Sequence, residues 1–169
     1  MSALGSAGER IQLTITGSVD QAFAASLVRP PHVVLESSIP HHRMQARLRE
    51  TDLLLLPFNF DRGSHRFIRY SWPTKLPEYM ISGRPVLMYG PADTAFGQYA
   101  VREKWAYFVG TRDLGALRNS VLHLMRDQDL REGLARVARG LAIRHHNINA
   151  TRGEFQSALR RLARSRCVD

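Results

Sequence analysis

Residues 52–57 read Asp52-Leu53-Leu54-Leu55-Leu56-Pro57. Four consecutive leucines show no alternation, so both faces of the segment are apolar. A run of strand length between an aspartate and a proline predicts a buried parallel strand, central in its sheet and covered by helices on both sides. Other short apolar runs flank it at 10–16, 32–36, 85–89 and 105–109. Gly17 closes the first, Pro30-Pro31 precedes the second and Gly90-Pro91 ends the third. Between them lie stretches of helical spacing at 40–50, 73–82, 94–103, 113–125, 130–143 and 151–166. Met44 and Leu48, four residues apart, mark the apolar face of the 40–50 segment. Pro73 opens the 73–82 helix, Pro77 falls in its first turn where a missing N–H costs least, and Gly83 is placed to cap its end. Alternating strands and helices predict an α/β domain: a parallel sheet of about five strands with helices on both faces. Residues 59–72 read as a long polar connection. No internal repeat, low-complexity tract or linker interrupts the pattern. One domain over 10–169 is expected, preceded by a disordered tail, 1–9.

The chain has 169 residues, enough to bury a substantial core. No stretch approaches the roughly 20 apolar residues needed to span a bilayer. Residues 1–9 lack the basic start and apolar centre of a signal peptide, so a cytoplasmic location is expected. Cys167 is the sole cysteine, which excludes an internal disulfide. The sequon at Asn149 has no secretory context. Lysine and arginine number 24 against 15 acidic residues, a net charge of +9, and Lys75 and Lys104 are the only lysines. Such a field favours anionic partners, among them phosphorylated small molecules, anionic lipid and nucleic acid.

Ligands of parallel α/β sheets sit outside the carboxyl ends of the strands. That rule directs attention to the segments after Glu36, Pro57 and Tyr89. Ser71-Trp72-Pro73-Thr74-Lys75-Leu76-Pro77-Glu78-Tyr79-Met80, followed by Ser82-Gly83-Arg84-Pro85-Val86-Leu87, resembles the S-x-P-x-K-x-x-E-Y/A-x-x-x-G-x-P-V signature of group 1 (family 4-like) glycosyltransferases. The resemblance is specific over 71–87 and architectural over about 10–165. It implies a Rossmann-like domain, the C-terminal, donor-binding half of a GT-B fold, which would bind a nucleoside-diphosphate sugar for transfer to an acceptor hydroxyl. It further implies that Glu78 holds the ribose, that the backbone around Ser38 and Ile39 holds the base, and that the sugar lies near 59–71. Physical chemistry agrees in outline. A loop feeding a helix start presents amides and a positive dipole end to a diphosphate, and Ser71, Thr74 and Lys75 add hydroxyls and a cation. Plainer roles exist for each: Glu78 as a complement to the helix dipole, Lys75 as a surface cation, Tyr79 and Met80 as core.

Two departures stand beside the resemblance. Many members carry a second glutamate eight residues before the ribose glutamate, and that position here is Tyr70. The family's first strand and its acceptor-binding half have no counterpart in 1–9, so a separate acceptor-domain chain or self-association is an expected partner. Catalytic residues are unassigned, because the acceptor-activating group would lie on that other half. No metal cofactor is expected. His41 with His42 and His145 with His146 are adjacent pairs whose side chains diverge on a helix. Two rival readings remain: a non-catalytic nucleotide- or protein-binding module, and a basic binder of nucleic acid or a membrane surface. Against nucleic acid, the arginines of 126–166 are spread around their helices with sparse aromatic interleaving. Peripheral contact with anionic membrane fits the charge.

Overall fold

The computed structural model describes residues 11–18, 20, 24–26, 28 and 31–165. The expected disordered tail, Arg10, Pro30, Arg166 and Cys167 lie outside the described residues. Two compact units divide the chain, one up to Arg47 and one from Leu48.

In the first unit, β1 (Leu13–Thr16) and β2 (Val33–Glu36) pair in parallel, with Leu13 opposite Val33 and Thr16 opposite Glu36. Gly17 ends β1 at φ +145°, a conformation that side-chain-bearing residues rarely adopt. Its amide donates to the Glu36 carbonyl at 3.1 Å, which holds the carboxyl ends of both strands together. The helix α1 (His41–Arg49) begins in this unit.

The second unit contains β3 (Leu54–Pro57), α2 (Arg62–Ile68), α3 (Lys75–Ile81), β4 (Val86–Tyr89), α4 (Ala95–Glu103), β5 (Tyr107–Val109), α5 (Leu114–Arg126), α6 (Gln128–His145) and α7 (Ile148–Ser165). Its three strands are parallel in the order β3-β4-β5. The α/β class, the parallel pairing and the number of strands follow the sequence pattern, but among the described residues the five strands stand in two sheets of two and three.

One expectation is corrected here. The leucine-rich strand is not central: β3 is an edge of its sheet among the described residues, and β4 takes the middle. Val86, Leu87 and Met88 of β4 are wholly buried, whereas β3 buries Leu54 and Leu56 and leaves Leu55 half-buried. Apolar residues on both faces report that helices cover the strand. They carry no information about whether both edges are paired. A second correction concerns 59–72, which is not all connection. Asp61 accepts the Ser64 amide at 2.8 Å and thereby starts α2.

The core of this unit gathers Leu87 of β4, Val109 of β5, Leu124 of α5 and Leu134 of α6. Trp105 and Phe96 are its largest fully buried side chains. Leu76 and Met80, four apart on α3, are fully buried on a helix that packs against α6. That leaves the other side of α3 for polar residues. Among the described residues no helix is long and apolar enough to cross a membrane.

Candidate functional site

The carboxyl ends of β3 and β4 are tied together by a small set of bonds. Phe58 donates its amide to the Tyr89 carbonyl at 2.7 Å, and its ring stacks on Phe96 with centroids 4.0 Å apart. Gly90 follows β4 because a Cβ there would stand 2.9 Å from that of Phe58. Thr94, fully buried, caps α4: its hydroxyl accepts the Gly97 amide at 3.1 Å and donates to the Pro91 carbonyl at 2.9 Å. The start of α4 meets the end of α2, where the Ala95 amide donates to the Arg69 carbonyl at 2.8 Å. Alongside, His65 Nε2 lies 2.8 Å from Asp93 Oδ1. The hydrogen bond from His65, aided by the imidazole's charge, holds the Asp93 carboxyl below its usual range.

The motif residues come next. Ser71 is exposed, and its hydroxyl donates to the Phe67 carbonyl, so it closes α2 while its oxygen can still accept. Thr74 is the residue before α3 rather than part of its first turn, and its side chain makes no capping bond. The Leu76 amide is already given to the Pro73 carbonyl at 3.0 Å. Pro77 has no N–H, so the amides of Thr74 and Lys75 are the donors this terminus can offer, fewer than a full helix end supplies. Lys75 is exposed and Glu78 half-buried. Three residues apart, they share a helix face, and that face is not the one carrying Leu76 and Met80 into the core. Ser71, Thr74, Lys75 and Glu78 are therefore gathered at one corner of the second unit.

Ser38 and Ile39 belong to the first unit, just past the carboxyl end of β2. Ser38 Oγ lies 3.2 Å from Ser18 Oγ, so the residues following both strands meet. At the strand end itself Glu36 is held by Arg47 in a two-pronged contact of 2.9 and 2.8 Å. The guanidinium, more than the opposing effect of burial, keeps the Glu36 carboxyl below its usual range.

The sequence did not point to an aromatic cluster beside the motif. Trp72 meets Tyr99 edge to face at 5.2 Å and lies tilted over His146 at 5.6 Å. Tyr99 Oη is 3.4 Å from His146 Nε2. Burial, reinforced by the neighbouring His145, lowers the His146 pKa, which favours the neutral ring. These residues are 27 and 47 positions apart, and no local spacing links them. The same holds for His65 and Asp93, 28 apart. Among the described residues no three His, Cys, Asp or Glu side chains gather as a metal set.

A cleft of about 750 Å³ opens in the second unit, yet not at this corner: it is bounded by Asp52, ahead of β3, and by Arg84 and Pro85, ahead of β4.

The chain is similar in structure to WaaG, a glycosyltransferase involved in lipopolysaccharide biosynthesis, with a TM-score of 0.56 and 20% sequence identity. The match covers 78% of this chain and 33% of that protein. The chain thus spans about a third of its length. It has a glycosyltransferase-like fold. No protein-family model and no curated protein matches the sequence.

Proposed function

We propose that this chain is the donor-binding domain of a GT-B-type glycosyltransferase, taking a nucleoside-diphosphate sugar. The observation that carries the reading is the α3 corner. Lys75 and Glu78 share a face of a helix whose first amides are uncapped by Thr74, within a glycosyltransferase-like fold. Negative charge grows on the leaving diphosphate as the glycosidic bond to it breaks. The amides of Thr74 and Lys75, with the Lys75 ammonium, supply fixed positive charge where it develops. This scheme calls on no metal ion. Glu78 accepts hydrogen bonds from ribose hydroxyls, as the acidic residue of dinucleotide folds does. With Tyr70 in place of a second glutamate, the sugar's own contact falls to other groups of the 59–71 segment. We assign no catalytic residue to this chain; the group that activates the acceptor hydroxyl belongs to an acceptor-binding partner domain.

The test is calorimetric titration of the purified chain with UDP, GDP, ADP and TDP and their common sugar conjugates. The expected result is saturable binding of one base family. Lys75→Ala and Glu78→Ala should each weaken it by roughly tenfold or more, the scale of a lost hydrogen bond to a charged group. A folded chain that binds none of them would sink the donor-domain reading and leave a non-catalytic module in its place.

A further inference from the structure

The cleft ahead of β3 and β4 brings together Arg84, Arg131, Arg136 and Arg139, with Asp52 and Glu132 at its margin. Two of these arginines have structural work. Arg131 donates to the carbonyls of Leu124 and, at 2.9 Å, Met125, capping the end of α5 where a cation complements the dipole. Arg84 donates to the Arg49 carbonyl. Arg136 and Arg139 have none: among the described residues neither guanidinium makes a hydrogen bond or ion pair. They are three apart on α6, so they point to neighbouring directions from one helix face. The partner within reach of Arg136 one turn earlier is Glu132, and it is engaged elsewhere, accepting from Gln128 Nε2 at 2.8 Å.

Four arginines against the carboxylates of Asp52 and Glu132 leave the cleft with an excess of positive charge, which favours an anion. The half-buried Leu53 adds apolar surface to the lining, and the volume falls within the ~300–1,000 Å³ typical of small-molecule sites. Guanidinium forks match phosphate oxygens in pairs, and the flanking carboxylates suit hydroxyl groups. We infer that this cleft is a second anion site, binding a small phosphorylated molecule that carries two or more phosphates. It is separate from the α3 corner and does not depend on the donor-domain reading.

The experiment uses sodium tripolyphosphate as the probe, titrated into the full chain by calorimetry at low ionic strength and again at about 0.15 M salt. A saturable site that depends on Arg136 and Arg139 is expected, whether or not the α3 corner binds the probe as well. The double variant Arg136→Ala/Arg139→Ala should weaken it roughly tenfold or more, with an unchanged far-ultraviolet circular dichroism spectrum because both side chains are exposed. The double Arg→Lys variant keeps the charge and loses the fork, and should fall between. Glu78→Ala should leave tripolyphosphate affinity within about twofold, since surface changes away from a site act weakly. Absence of a saturable site would overturn the inference, as would equal affinity in the double alanine variant. Loss of binding in Lys75→Ala instead would place the anion at the α3 corner and also overturn it. A short oligodeoxythymidine serves as the second arm. If it binds and depends on Arg136 and Arg139 while tripolyphosphate does not bind, the cleft serves nucleic acid and the small-molecule assignment is wrong.

Discussion

At the carboxyl ends of β3 and β4 the chain places capped helices, stacked rings and the recognisable stretch 71–78. At their amino ends it leaves a cleft lined by Arg84, at the end of the motif stretch, and by Arg131, Arg136 and Arg139 of α6, which belong to no motif. The carboxyl-end residues reach the α3 corner through contiguous sequence, 71–78, which is why they can be read from it. The cleft residues are drawn from positions 52 to 139, so only folding assembles them. A motif and a cavity are different kinds of signal, and here residues 71–78 and the cleft fall at opposite ends of one sheet, joined by Gly83, Arg84 and Pro85 at the motif's end.

Three changes would break or sharpen that contrast. Leu87→Ala has the largest expected effect. Leu87 is fully buried in the middle strand and shares its core with Leu124, which lies buried behind the cleft. Truncation should cost about 2–5 kcal/mol, read from the urea midpoint, and should impair nucleotide and tripolyphosphate binding together. If only one end suffers, the two are less coupled through the core than the packing indicates.

Thr94→Ala comes second and acts at the carboxyl end. It removes the buried cap of α4, worth ~1–2 kcal/mol. Thermal unfolding should show the loss, and tripolyphosphate affinity should remain unchanged. An equal loss of tripolyphosphate affinity would mean that the ends are not independent.

The smallest effect concerns His146, beside Trp72 and Tyr99. Its pKa is lower in the folded chain than in the unfolded one, so the unfolded state takes up the proton first as the pH falls. The neutral ring's contribution is therefore present above the unfolded value, near 6.5, and is lost as the pH drops through the folded one. His146→Gln should flatten the stability profile as the pH falls below about 6.5, followed by urea midpoints. An unchanged slope would show that other groups carry the acid dependence.

The helices show how far local pattern reaches. The segments expected at 40–50, 94–103 and 113–125 are observed as His41–Arg49, Ala95–Glu103 and Leu114–Arg126, because caps and apolar spacing act within a few residues. The 73–82 segment starts two residues late, at Lys75. Pro73 supplies its carbonyl to Leu76 without joining the helix. α2 was missed although Asp61 is a good cap, since a seven-residue helix with an exposed Phe67 shows too little apolar period to detect. At the candidate site, Ser71, Thr74, Lys75 and Glu78 were legible from one contiguous stretch. His65 with Asp93, the Trp72–Tyr99–His146 cluster and the arginine cleft were not.

Two leucines of β3 mark the division between sequence and fold. From sequence alone, Leu54 and Leu56 belong to a strand covered by helices, because hydrophobic patterning reports how a segment's faces are solvated. Which strands lie at its edges is decided by backbone hydrogen bonds, and every residue except proline carries the same backbone donor and acceptor. Side-chain identity therefore says little about neighbours in a sheet. The same reasoning applies to the two ends of that sheet. Residues 71–78 carry their relation to one another in their spacing, whereas Arg84, Arg136 and Arg139 became neighbours only when α6 packed against α3.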